Sequence, residues 1–114
     1  MRLSEAIMLG STLSKQGFGV IVDADGNRCA YGAALQAVGK SIPQLFTSWP
    51  WLNGGPMDCP ECGQSTAKYA VVSTHLNDKH KWTRERIAEW VATVEPAEET
   101  CPETVQPDLV PTFA

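Results

Sequence analysis

Apolar and polar positions change rhythm several times along the chain, and each rhythm predicts a different element. In MRLSEAIMLGSTLSKQ, Ile7, Met8 and Leu13 fall near helical spacing behind Ser4, a good N-cap. Lys15-Gln16-Gly17 is expected to close that helix, with Gly17 as its C-terminal cap. Phe18 to Val22 (FGVIV) is a short β-prone run, Asp23 to Gly26 a turn signal, and Asn27 to Ala30 a returning strand. Ala30 to Val38 (AYGAALQAV) favours a helix of small residues ended by Gly39, able to pack closely against the first helix and the hairpin.

Residues 47–58 (TSWPWLNGGPMD) read as a loop by their prolines and glycines. Trp49, Trp51 and Leu52 within it are costly to leave in water, so they fold back as core anchors, the reading preferred here, or meet a partner. Over 59–94 a cysteine pair precedes a helix bearing two histidines and then a final helix. Thr83 caps that last helix, Glu85 suits its dipole, and Ile87, Trp90, Val91 and Val94 share one face. Pro96 ends it. The tail 95–114 holds four of the eight prolines without periodicity and is expected to be disordered. The fold class predicted is α+β: a helix–hairpin–helix unit over 1–46, the 47–58 loop, a metal-stapled helical segment over 59–94, and the acidic tail.

Charge sharpens this division. The net charge of −4 comes from the tail, which carries Glu95, Glu98, Glu99, Glu103 and Asp108 and no base, while residues 1–94 hold nine bases against eight acids. Lys79, Lys81, Arg84 and Arg86 are the densest basic cluster; they suit phosphate contacts or, beside Asp78, Glu85 and Glu89, a solvated helix face. The N-terminal stretch lacks the continuous apolar core of a secretory signal, and no run approaches the ~18 apolar residues of a membrane span. An intracellular, cytoplasmic address is therefore expected, where a close cysteine pair points to metal or redox chemistry rather than a structural disulfide.

The candidate chemistry is Cys59-x2-Cys62-x12-His75-x4-His80, built on the chain's only two histidines. Two thiolates and two imidazoles fill the tetrahedral shell of zinc (Zn2+), Pro60 stiffens the cysteine turn, and Gly63 permits its exit. A redox pair, surface histidines or unliganded thiols are the competing readings. A catalytic zinc keeps an open position, and four protein ligands leave none, so no enzyme is expected. Cys29, among small apolar residues, reads as a buried core thiol, and Cys101 as an exposed one. No GK[ST] follows Gly17, Gly19 or Gly26, so no phosphate loop is expected.

The ligand spacing resembles that of two-cysteine, two-histidine zinc fingers over about residues 59–80, with Val72 at that family's apolar position three residues before His75. Thr66 stands where the family carries an aromatic residue, and Ala67 to Thr74 offer only Lys68 as a base, so DNA reading is not implied. The segments Cys29-Ala-Tyr-Gly-Ala-Ala34, Cys59-Pro-Glu-Cys-Gly63 and His75 to Trp90 (HLNDKHKWTRERIAEW) resemble small uncharacterised proteins of bacteria and their phages. That resemblance implies a compact scaffold, with the metal fixing the first histidine-bearing helix and Trp82 packing near the joint, and no activity. The function expected is a small zinc-binding accessory protein that binds a protein partner through the Trp49/Trp51 loop and the acidic tail. The alternative is a nucleic-acid-binding regulator using the basic cluster.

Overall fold

A computed structural model describes residues 1–96. Helix α1 (Leu3–Gly10) begins earlier than the Ser4 cap predicts: Arg2 is its N-cap, and the Arg2 amide donates to Glu5 Oε1 at 2.9 Å. Ser4 is buried inside the helix and meets Glu95, whose Oε1 accepts from the Ser4 amide at 3.1 Å and whose Oε2 accepts from the Ser4 hydroxyl. Arg2 Nη2 lies 2.8 Å from the same carboxylate. A buried acid thus sits where the first amides of α1 point outward, the position a helix dipole favours for negative charge. Composition assigns Glu95 to the tail; the structure places it in the folded body. The rest of the tail expected to be disordered, from 97 onward and including Cys101, lies outside the described residues.

Helix α1 stops at Gly10, seven residues before the predicted Gly17 cap, and Leu13 is half exposed. A Cβ at Gly10 would lie 1.9 Å from the Ala33 carbonyl oxygen, so the end of α1 rests directly on the backbone of α2 (Ala30–Val38). The small residues Ala30, Ala33 and Ala34 of α2 are buried and make this approach possible. Gly39 ends α2 in the left-handed conformation at φ 68°.

Between α1 and α2 the expected hairpin is reduced to its turn. The Asp23 carboxylate accepts from the amides of Asp25 and Asn27 at 2.9 Å each, and those bonds, Asn27 foremost, hold its carboxyl below the usual range. The flanks make only isolated bridges, Val22 with Arg28 and Gln16 with Arg28. Phe18 and Val20 are 43% and 52% exposed, so the β-prone run has no second apolar face to bury.

The 47–58 stretch is more ordered than its composition predicts. Helix α3 (Leu45–Ser48) runs into a 3-10 turn over Pro50–Asn53. Trp49 and Leu52 are buried in the core, and Trp49 Nε1 donates to the Met1 carbonyl at 3.1 Å. Trp51 is half-buried with its ring centroid 5.7 Å from that of Tyr69. The core-anchor reading therefore holds for Trp49 and Leu52.

A two-stranded antiparallel sheet pairs β1 (Met57–Asp58) with β2 (Ser65–Thr66), Met57 opposite Thr66 and Asp58 opposite Ser65. Helices α4 (Tyr69–Asp78) and α5 (Arg84–Val94) follow. Thr83 caps α5 as expected, its hydroxyl accepting from the Arg86 amide at 3.1 Å. Leu3 and Ile7 of α1, Leu35 of α2, Val72 and Leu76 of α4, and Ile87 and Val91 of α5 form one fully buried core. Tyr31 ties α2 to α4, its hydroxyl donating to the Ala70 carbonyl at 2.6 Å. The architecture is α+β, five helices and one small sheet among the described residues. No helix among them is long and apolar enough to cross a membrane.

Candidate metal centre

The short sheet is the frame of a cysteine turn. Beyond the β1–β2 pairs the ladder continues with Cys59 N donating to the Gln64 carbonyl at 2.9 Å. The Gly63 amide closes the turn onto the Cys59 carbonyl, also at 2.9 Å, with Gly63 at φ 75°. Few residues other than glycine take that conformation without cost, so Gly63 is what lets the chain reverse immediately after Cys62. Cys59 is buried beneath the turn and Cys62 stands at its exposed lip.

The histidines need a different device. On a continuous helix, positions five apart are about 140° apart around the axis, so His75 and His80 would diverge. The chain instead leaves α4 after Asp78. The Lys79 and His80 amides both reach back to the His75 carbonyl, at 2.9 and 3.4 Å. Lys81 takes a left-handed φ of 57°, and the Trp82 amide reaches back to the Leu76 carbonyl at 3.0 Å, closing the end of the helix. This termination swings His80 back over the end of α4, where its ring meets that of His75 edge-on with centroids 4.7 Å apart.

Cys59, Cys62, His75 and His80 thereby converge, their ligand atoms all within 4.8 Å of one another. The Nε2 atoms of the two histidines are 3.1 Å apart, and Cys62 Sγ is 3.4 Å from His75 Nε2. Zinc held tetrahedrally at ~2.3 Å from sulfur and ~2.0–2.1 Å from nitrogen requires about 3.3 Å between nitrogens and about 3.5 Å between nitrogen and sulfur. These two spacings are close to the edges of such a shell, and the four donors lie within 4.8 Å of one another. The His75 ring is pushed toward its neutral form, first by desolvation and then by His80 and Lys79, and neutral imidazole is the form that ligates. All four residues predicted from the spacing are therefore together in a cluster compatible with metal binding.

Polar bonds strap the N-terminal unit onto this joint. Buried Asn77, next to last in α4, donates to the Gly17 carbonyl at 3.0 Å and accepts from Gln16 Nε2 at 2.9 Å. Gln16 Nε2 also donates to the Trp82 carbonyl at 2.7 Å, and the Gly19 amide to Asp78 Oδ1 at 3.0 Å. Gln16 and Asn77 carry no chemical signature in sequence, and only their long-range pairing reveals this role.

The basic cluster does not stand as one surface. Arg84 is 5% exposed and turns inward, donating to the carbonyls of Ser11, Ser14 and Arg28 and to the Ser14 hydroxyl. It is a structural clamp on the chain leaving α1, so Arg84 stands on neither the phosphate-contacting face nor the solvated face that the sequence allows for this cluster. Lys81 lies 4.3 Å over the Phe18 ring and Arg86 3.7 Å over the Trp82 ring. Cys29, predicted as a core thiol, is buried at the N-cap of α2, and burial pushes its thiol up. Comparison with protein families, curated proteins and solved structures finds no match to this chain.

Proposed function

We propose that this chain is a small zinc-stapled accessory protein of a reducing, intracellular compartment that works by binding another protein. The observation that carries the zinc is the convergence of two thiols and two imidazoles within 4.8 Å, from two separate chain segments. Four ligands close the shell, which supports a structural rather than a catalytic metal. The ion joins the cysteine turn to the end of α4, two pieces too short to hold one another by burial alone, so its binding energy is folding energy for residues 57–82.

The partner surface is not the Trp49 side chain, which the core occupies. Support for a partner comes from exposed Met8, Leu9 and Leu13, the first two of which border an apolar groove between α1 and α5. Protein purified under reducing conditions carries one equivalent of zinc, and chelation lowers its melting temperature sharply. Metal-free protein with an unchanged melting temperature refutes the zinc. For the partner, Met8→Ser with Leu9→Ser abolishes capture while leaving zinc content and melting temperature intact; undiminished capture refutes this surface.

A further inference from the structure

The Cys59–Cys62 turn carries Glu61 at its outer position, where an acid has the ordinary explanation of a solvated surface residue. Its side chain is 43% exposed, and its carboxylate is shared between two groups that frame the cluster. Oε2 lies 3.4 Å from His80 Nδ1, the ring nitrogen opposite the one that faces His75, and Oε1 accepts from Trp82 Nε1. Trp82 is buried, immediately follows the left-handed Lys81, and is covered by the Arg86 guanidinium 3.7 Å above its ring. A chain of contacts thus runs from the cysteine turn through Glu61 to His80 and, through Trp82 and Arg86, into the first turn of α5.

We infer that Glu61 is the positioning residue of the metal centre: it holds His80 with Nδ1–H toward its carboxylate and Nε2 free for zinc, and it latches the cysteine turn to the α4–α5 joint through Trp82. The inference rests on the zinc reading above and names a residue through which that site is tuned. Three features carry it. The Nε2 of His80 is the nitrogen facing His75 at 3.1 Å and Nδ1 the one facing Glu61, so a zinc ion taken by Nε2 leaves Nδ1–H to the carboxylate. The same carboxylate also accepts from the indole N–H of buried Trp82, so its withdrawal takes a hydrogen bond from that donor as well. A carboxylate behind a ligating histidine also raises the basicity of the ring and fixes its orientation, with typical losses of 10–100-fold in metal affinity on removal.

The test compares zinc affinity, by competition with a chromophoric chelator, for the wild-type chain and its Glu61→Ala, Glu61→Gln and Trp82→Phe variants, with cobalt(II) spectra of each. Glu61→Ala is expected to weaken zinc by about 10–100-fold while the cobalt spectrum keeps the band positions and intensity of a tetrahedral two-sulfur, two-nitrogen site. Glu61→Gln, with one carbonyl for two donors, falls between wild type and Ala. Trp82→Phe, which leaves the His80 contact in place, weakens zinc less than Glu61→Ala does. Far-UV circular dichroism of the zinc-saturated variants keeps these comparisons among folded proteins. Wild-type affinity in both Glu61 variants overturns the positioning role. A cobalt spectrum that changes coordination number on Glu61→Gln overturns it also, by making Glu61 a ligand. Failure of the wild-type chain itself to bind zinc or cobalt overturns the underlying zinc reading instead.

Discussion

Replacing Gly10 by alanine separates two opposed physical effects by their sign. Alanine in place of glycine in a helix normally stabilises, by up to about 1 kcal/mol, through propensity and a less entropic unfolded chain. At Gly10 the new Cβ would meet the Ala33 carbonyl oxygen at 1.9 Å, its carbon at 2.3 Å and its Cα at 2.8 Å, where real contacts essentially never fall under 3.0 Å. All three are backbone atoms, so no rotamer change relieves the clash. The helices must separate by about 1 Å, loosening a face where Ile7, Ala30 and Ala34 are buried. Overpacking of this kind costs about 1–3 kcal/mol and loses further dispersion along the gap. Against the propensity gain, a net loss of about 2 kcal/mol is expected, or a fall of roughly 8–15 °C in melting temperature for a domain of this size. Thermal unfolding of zinc-loaded protein by circular dichroism measures it, with zinc stoichiometry unchanged because Gly10 lies away from the metal cluster. A melting temperature equal to or above wild type refutes the close crossing of α1 and α2.

Other expectations test the remaining joints. Arg84→Leu removes a buried guanidinium from three carbonyls and a hydroxyl, and denaturant unfolding should show a loss of about 2–4 kcal/mol; a loss under about 0.5 kcal/mol contradicts the clamp. Glu95→Gln withdraws the charge that meets Arg2 and the first amides of α1, for a loss of about 1–2 kcal/mol by the same assay. Tyr31→Phe removes the buried hydroxyl bond from α2 to the Ala70 carbonyl of α4 and costs about 1 kcal/mol while zinc affinity stays at the wild-type value. Acid should release zinc. His75 is held below its ordinary 6.5 in the folded chain, so the folded state binds fewer protons than the unfolded one, and stability falls as pH drops through 6.5 toward the lower folded value. Proton competition at the ligands acts in the same direction, and zinc retention followed across an acid titration checks it; retention independent of pH down to 4 would contradict neutral-imidazole ligation.

The sequence by itself determined what depends on local chemistry. Residue type and spacing picked out Cys59, Cys62, His75 and His80 as one cluster, because metal geometry restricts both and the fold brings the four together. The cap at Thr83 and the buried face of α5 were legible because capping and helical periodicity act over a few residues. Trp49 and Leu52 were legible as core because their apolar area is too costly to expose.

Tertiary structure alone decided the rest. Glycine closes a helix in many chains, but α1 ends at Gly10 with Ser11 as its cap, and only the fold shows that Gly10 is there for the close approach of the Ala33 backbone. The β propensity of Phe18 to Val22 was overridden because no sheet lay alongside to bury Phe18 and Val20. Glu95 joined the body, Arg84 turned inward and Glu61 moved behind His80, each a charged residue whose role was set by partners 91, 70 and 19 positions away. A charge reads locally as solvated; only the fold shows which carbonyls, amides and rings have been placed around it, and for the buried Glu95 and Arg84 those neighbours decide its energy.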